Sequence, residues 1–245
     1  MTINTATQTL VRTLYQVQWS TWLLRLFYFV SAFLVTAVLA FNIFQPIKVL
    51  PRVSLAPGFV FTNQDGVRKT SEDFRGKLTI YNFTYTRCAD GCPQTTLLMR
   101  SVQNALVRSA SPDTKIALVT ISVDPEYDTP AVLNTYAVPF LKNQTDTISW
   151  DFLTGDPLLT KYVVGGAFSV YYQNTTDQAG QPSIKLDARY VLVDGWGIIR
   201  AEYRGTELDE QLLVRDIGYL EAEILNSEGP ARFAYEAAHL FRCYP

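Results

Sequence analysis

The sequence has little histidine and little cysteine. Its 245 residues include one histidine, His239, and three cysteines, Cys88, Cys92 and Cys243. The number of cysteines is odd and only two lie close together, which excludes a small fold stapled by disulfides. The single imidazole limits the nitrogen ligands available to any metal site.

A strong charge of either sign is also missing. The chain carries 21 Lys and Arg against 23 Asp and Glu, mixed along its length, for a formal net charge of −2. A protein that binds nucleic acid needs a basic stripe to neutralise phosphates, so no nucleic-acid partner is expected. No repeat or low-complexity tract is found, and 48% of the residues are hydrophobic, enough for a packed core without disulfides.

One long apolar run stands near the N-terminus, from Leu26 to Phe44, and it contains no charged residue. At about 1.5 Å per helical residue it matches the hydrocarbon thickness of a bilayer. Trp19 and Trp22 precede it, where aromatic rings favour the membrane interface, and Arg25 can extend towards the headgroups. A cleaved signal peptide and a buried core helix are the alternatives, but the run is long for the first and lacks the polar stripe of the second.

The sequence is therefore divided into five parts. These are an N-terminal leader (1–21), a transmembrane helix (22–45), a linker (46–57), a thioredoxin-like α/β domain with a central mixed sheet (58–227) and a C-terminal helical tail (228–245). The leader has no acidic residue, which favours a cytoplasmic N-terminus. It is interpreted as an interfacial helix, a partner-binding arm or a frayed end.

The α/β prediction rests on apolar runs that alternate between strand and helix patterns. Strands are predicted at 58–62, 78–83, 116–123, 190–193 and 198–201, and helices at 94–109, 130–141, 156–163 and 208–225. A further helix is predicted to begin near Gly229-Pro230 in the tail, with an apolar face that docks on its own domain or on another subunit.

Cys88 and Cys92 lie between a predicted strand and a predicted helix, in the segment Tyr85-Thr86-Arg87-Cys88-Ala89-Asp90-Gly91-Cys92-Pro93. Cysteines four apart at a helix start share one face, within reach of a disulfide or of one soft metal ion. The helix N-terminus and Arg87 stabilise thiolate, which is the attacking species in disulfide exchange and a preferred ligand of Cu(I).

This segment resembles the Y-T-x-C-x-D-x-C-P signature of the Sco/SenC family, membrane-anchored copper-handling proteins of cytochrome oxidase assembly. Flanking residues also match, in the stretches Asp73–Lys77 and Ile121–Pro130, and the resemblance extends from about Phe59 to Leu225. It implies a thioredoxin-like fold and a role for Cys88 and Cys92 both as the redox pair and as Cu(I) ligands.

The resemblance also implies a third copper ligand, a histidine in the loop before the strand 190–193. Its expected position is about Leu186, and no histidine occurs there. Cu(II) prefers nitrogen or oxygen donors, so the missing imidazole weakens Cu(II) binding while the dithiol still suits Cu(I). Asp90 or Asp187 can offer an oxygen instead, or His239 can fold back from the tail. Bound copper is therefore doubtful.

Two functions remain open. In the first, Cys88 and Cys92 carry out thiol-disulfide exchange or deliver Cu(I), in association with a respiratory or photosynthetic electron-transfer complex. In the second, the chain is a non-catalytic accessory subunit of such a complex and has lost copper binding. A peroxidase of the same fold is disfavoured, because paired cysteines are not the lone peroxidatic cysteine of those enzymes.

The compartment follows from the cysteine pair, because disulfides persist outside the cytoplasm. The expected location is the plasma membrane of a bacterium, crossed once, with the domain on the periplasmic side. A mitochondrial inner membrane is the less favoured alternative, since the leader is poor in arginine for a transit peptide. His239 is interpreted as a surface or packing residue, and Cys243 as a bystander or a thiol that pairs with a partner.

Overall fold

The computed structural model describes residues 5–44, 47–87, 94–176, 180–205 and 209–241. It divides into two compact units, residues 1–48 and 49–245. Cys88, Asp90, Cys92 and Cys243 lie outside the described residues.

The first unit is one long helix, α1 (Thr5–Phe44). Its stretch Thr21–Ala40 is long and apolar enough to cross a membrane, and none of its side chains is buried. The helix also includes most of the residues assigned to the leader. Thr21–Ala40 is thus a candidate membrane span by length and composition.

The second unit is built on a mixed sheet of eight strands in the order β1-β10-β9-β4-β5-β6-β2-β3, beside a separate two-stranded hairpin, β7-β8. The strands are β1 (Ser54–Leu55), β2 (Val60–Asn63), β3 (Arg68–Thr70), β4 (Leu78–Thr84), β5 (Ile116–Ser122), β6 (Ile148–Thr154), β7 (Tyr172–Thr176), β8 (Pro182–Leu186), β9 (Arg189–Val193) and β10 (Ile198–Arg204).

The centre of this sheet is parallel and its flanks are antiparallel. β5 pairs in parallel with both β4 and β6, whereas β9 runs antiparallel to β4. β4 and β5 are buried along their whole length, as expected for parallel strands covered on both faces. The carboxyl ends of β4 and β5 therefore meet at one edge of the sheet, and the carboxyl end of β9 lies at the opposite edge.

Among its described residues this unit has five α-helices: α2 (Thr95–Ser109), α3 (Pro130–Ala137), α4 (Pro157–Thr160), α5 (Glu210–Leu225) and α6 (Ala231–Phe241). The chain continues from α4 into a π-helical segment, Lys161–Ala167. Thr129 and Asp156 cap α3 and α4, each side chain accepting a backbone N–H of the first turn.

Alternation along β4 divides the core between the two faces of the sheet. Ile80 points into one cluster with Met99 of α2 and Leu213 of α5. Tyr81 points into the other, which holds Phe168 and residues of the hairpin. The domain is thus a sheet between two layers, and this arrangement places the β4–α2 connection at the edge where β4 ends.

The structure confirms most of the predicted elements and adds strands that the sequence pattern did not indicate. β6 was not predicted, because Ser149 and Asp151 interrupt its apolar residues. Asp151 nevertheless accepts a hydrogen bond from Asn63 Nδ2 at 3.0 Å and faces Lys69 Nζ at 3.4 Å. The polar hairpin β7-β8 was also missed.

Candidate functional site

The cysteine motif begins at the carboxyl end of β4. Tyr85, Thr86 and Arg87 follow this strand directly, and α2 begins at Thr95. The predicted site residues Cys88 and Cys92, on the intervening segment, are not among the described residues. What the structure describes is how the residues before the motif are held.

Asp128 holds Thr86. Its carboxylate accepts the backbone N–H of Thr86 at 3.1 Å and the hydroxyls of Thr86 and Ser122. The side chain is fully buried, and burial raises the pKa of this carboxyl, although the hydrogen bonds from Ser122 and Thr86 oppose the shift. Asp128 therefore fixes the chain two residues before Cys88 through donors that carry no charge.

Arg87 is held by a second carboxylate from the same loop. Its Nε and Nη2 donate to Asp124 Oδ2 at 3.0 and 2.6 Å, and its guanidinium lies 4.3 Å from the centre of the Tyr127 ring. The hydrogen bond with Asp124 raises the pKa of Arg87, so the guanidinium stays charged at every working pH. A fixed positive charge thus lies beside the first cysteine of the motif in sequence.

Tyr85 ties the hairpin to the same edge of the sheet. Its hydroxyl donates to Ile184 O at 2.9 Å and accepts the backbone N–H of Ile184 at 3.2 Å. The phenol thereby satisfies both backbone hydrogen-bonding groups of Ile184, a β8 residue 99 positions along the chain. β8, which includes the expected histidine position, is anchored to the residues that precede the motif.

The position expected for a histidine is part of this hairpin. Leu186 is the last residue of β8, is 7% exposed and packs in the same core cluster as Ile184. Asp187 is exposed and its backbone N–H donates to Tyr171 O at 3.0 Å. The side chain at position 186 thus contributes to packing and has no donor atom for a metal.

His239 lies at the other edge of the sheet. Its Nε2 is 3.1 Å from Glu223 Oε1, and Glu223 in turn accepts Nη2 of Arg200 at 2.7 Å. Arg200 also binds Asp194, the residue after β9, at 3.0 Å. Because β9 is antiparallel to β4, this group lies at the amino end of β4, so His239 does not fold back to the cysteine motif.

No group of three or more His, Cys, Asp or Glu able to hold a metal ion is found among the residues that the structure describes. Asp90, the other oxygen donor considered, lies outside them together with both motif cysteines. The described part of the chain thus adds no ready ligand cluster to the two thiols.

Sequence reasoning did not assign roles to Asp124 and Asp128. Both occur in Ser122-Val123-Asp124-Pro125-Glu126-Tyr127-Asp128, directly after the most apolar strand. Two carboxylates at the end of a parallel strand lie beside whatever follows the neighbouring parallel strand, and this signal was available in the sequence.

Comparison with known proteins decides the family. The SCO1/SenC family model matches residues 49–220. The chain belongs to the SCO1/SenC family. Among SCO1/SenC relatives, the SCO1 protein homolog of Bacillus subtilis (strain 168) is 27% identical over 149 residues, which cover 61% of this chain and 73% of that protein.

Solved SCO1/SenC structures share the fold. One of them is the structure of BsSco, a member of the Sco family of cytochrome c oxidase assembly proteins, in which a disulfide switch was identified. It is 26% identical to this chain, with a TM-score of 0.58. The match covers 72% of this chain and 98% of that one. Copper-bound ScoI of Bradyrhizobium japonicum is 26% identical with a TM-score of 0.56, covering 68% and 99%. These matches confirm the predicted thioredoxin-like fold with a central mixed sheet.

Proposed function

We propose that this SCO1/SenC protein is anchored in a bacterial plasma membrane by Thr21–Ala40, with its domain on the periplasmic side. There Cys88 and Cys92 carry out thiol-disulfide exchange or deliver Cu(I) to a respiratory or photosynthetic electron-transfer complex. A disulfide switch in BsSco and bound copper in the Bradyrhizobium protein support the two chemistries. The apolar exposed surface of Thr21–Ala40 supports the anchor.

The exchange reaction needs only the two thiols. Cys88 and Cys92 give two electrons and two protons to a partner's disulfide, forming their own S–S bond while the partner's bond breaks. Arg87 favours the attacking thiolate, and its hydrogen bonds to Asp124 keep its charge near the motif. In delivery, Cu(I) is cargo that two thiolates hold and pass to thiolates of the partner.

The observation that carries the proposal is the side chain at position 186. Leu186 is buried in the hairpin that Tyr85 anchors, whereas the one imidazole of the chain is held by Glu223 at the opposite edge of the sheet. The two thiols therefore lack the nitrogen donor that Cu(II) prefers. We expect Cu(I) binding without a tight Cu(II) site.

Metal titration of the purified full chain in detergent tests this expectation. Cu(I) competed against a chromophoric chelator should bind in a one-to-one complex, and the double variant Cys88→Ser/Cys92→Ser should abolish it. Cys243→Ser is the matched control and should leave it intact. A tight Cu(II) complex with a strong sulfur-to-copper absorption band would contradict the proposal.

The accessory-subunit function remains a second candidate, favoured by the surface of α6. Phe233 on this helix is 78% exposed, and such a side chain suits a contact with another subunit. The double cysteine variant separates the candidates in native membranes. An assembly factor should lose its effect on the partner complex, whereas a structural subunit should still co-purify with an active complex.

A further inference from the structure

Three exposed apolar side chains lie at the edge of the sheet opposite the cysteine motif. Trp196 is 80% exposed, Leu55 68% and Val53 55%. Val53 and Leu55 are two residues apart in extended chain and so share a face, and Trp196 is in the turn between β9 and β10. We name these three residues the linker-side patch.

The patch is held in place by backbone hydrogen bonds. Ala56 N donates to Gly197 O at 2.8 Å and Val53 N to Ile199 O at 2.9 Å, which joins the segment of Leu55 to the turn of Trp196. Gly197 has a φ of +75°, and a Cβ there would overlap the guanidinium of Arg75. The turn thus requires glycine after Trp196, and the indole is presented from a fixed backbone.

The chain enters the domain beside this patch. Val49 and Leu50 are 1% and 3% exposed, and Arg200 Nη2 donates to Leu50 O at 2.8 Å. Five peptide units separate Phe44, the end of the apolar run, from Val49, and they can span at most about 17 Å. The covalent chain alone sets this limit on the distance between Val49 and the end of α1.

We infer that the linker-side patch rests on the lipid headgroups of the membrane that holds the anchor; this inference rests on the proposed membrane span. Trp suits that interface because its ring is apolar and its N–H can donate to a headgroup, and aliphatic neighbours add buried area. The short connection from α1 to Val49 leaves the patch within reach of that membrane.

Charge does not drive this contact. Arg75 lies 3.4 Å from Glu72, and Arg52 lies 3.5 Å from Glu236 and 3.7 Å from Glu223, so these two arginines near the patch are paired with carboxylates. The patch itself carries no charge. Contact with a zwitterionic bilayer should therefore match contact with an anionic one, unlike a polybasic surface.

The inference also orients the cysteine motif. The seven residues of β4 separate the patch end of the sheet from Tyr85, a length of about 20 Å. With the patch on the headgroups, the motif faces away from the bilayer. It would then meet the extramembrane part of a partner rather than its membrane-spanning helices.

Fluorescence quenching in phosphatidylcholine vesicles tests the inference on the full chain. Subtracting the emission of Trp196→Phe from that of the unaltered chain isolates Trp196. A doxyl label near the headgroup should remove most of this emission, and adding anionic lipid should change little. As the matched control, Leu97→Trp in the Trp196→Phe background places an indole on α2 beside the motif, at a position 48% exposed, and should keep its emission.

The remaining tryptophans separate the two possible failures. Trp19 precedes the proposed span and Trp22 lies at its start, so both report whether it inserts. If they are quenched by the labelled lipid and Trp196 is not, the anchor holds and the inference is overturned. If none is quenched, the membrane span fails and the inference fails with it. Emission of Trp196 that is unquenched in vesicles yet shielded in native membranes would assign the patch to a protein partner and would also overturn the inference.

Discussion

Two opposite edges of the sheet, the motif edge where β4 and β5 end and the linker edge where β9 ends, hold carboxylates in opposite electrostatic settings: Asp128 is fully buried and Glu223 is partly buried. At the motif edge, Asp128 faces hydroxyl and backbone N–H donors, and burial raises its pKa. At the linker edge, burial of Glu223 also favours the neutral acid, but hydrogen bonds from Arg200 and His239 outweigh it and lower the pKa. The carboxylate of Glu223 is thus stabilised by charged partners, whereas that of Asp128 has only neutral donors among the described residues.

We interpret the linker edge as the one that stabilises the fold and the motif edge as the one that prepares the cysteine site. Arg200 is 2% exposed and binds two carboxylates and two backbone carbonyls, which joins the linker, β10 and α5. At the motif edge, Asp124 and Asp128 have one guanidinium nearby among the described residues. It belongs to Arg87, which is partly exposed. Positive charge is therefore buried where the linker enters the domain and accessible where the cysteine motif begins.

The largest expected effect comes from breaking the linker edge. Arg200→Met removes the partner of Asp194 and Glu223 while keeping most of the side-chain volume. We expect a loss of about 3–5 kcal/mol in the free energy of unfolding, because buried Asp194 loses its charged partner and Glu223 keeps only His239 and the exposed Arg52. Guanidinium unfolding of the full chain in detergent measures this loss.

The matched control is Arg87→Met at the motif edge. The Arg87 side chain is 36% exposed, so water screens its ion pair, and the expected loss is about 1 kcal/mol or less. Equal losses of unfolding free energy for the two variants would show that the linker edge does not stabilise the fold more than the motif edge.

A pH series should give opposite signs for the two carboxylates. Asp128 has a folded pKa above its ordinary value of 3.8, so its contribution to stability is full at low pH and falls as pH rises through the folded pKa. Glu223 has a folded pKa below 4.5, so its contribution is full near neutral pH and falls as pH drops through the folded pKa. The free energy of unfolding relative to Asp128→Asn should therefore decrease with rising pH.

The corresponding difference for Glu223→Gln should decrease with falling pH. Urea unfolding of the three proteins between about pH 3 and pH 8 covers both windows. If the differences in unfolding free energy changed with pH in the same direction for both variants, the contrast between the two edges would be refuted.

The smallest expected effect concerns thiol reactivity. In a Cys243→Ser background, Arg87→Met should slow alkylation of the motif cysteines at neutral pH by about fivefold, because the charge next to Cys88 in the sequence contributes about 1 kcal/mol in water. The pH at which alkylation reaches half its maximum rate should rise. Arg100→Met, on the next helix, is the control and should leave the rate unchanged; an unaltered rate in Arg87→Met would remove Arg87 from the site.

Much of the fold could be predicted because its central strands and helices have continuous or periodic apolar patterns. Strand 116–123 and helix 94–109 agree with β5 and α2 within a residue. β6 could not be predicted in this way, since its Asp151 is stabilised by Asn63 and Lys69 from distant parts of the chain. A local sequence pattern does not show that a buried carboxylate will find partners so far away in the chain.

The site was only partly accessible to sequence reasoning. The spacing of Cys88 and Cys92 indicated soft-metal and disulfide chemistry, and the absence of histidine near Leu186 could be read directly. The bonds of Asp128 to Thr86 and of Tyr85 to Ile184 span 42 and 99 positions, so they follow from the pairing of strands rather than from any local motif.

The sheet ends in two very short strands, β1 with two residues and β3 with three. Pro51 and Pro57 flank β1, and β3 begins with Arg68 and Lys69. Short edges interrupted by proline or charge offer little backbone to a strand of another molecule. Copies of the domain should therefore resist edge-to-edge pairing of their sheets, even at high concentration.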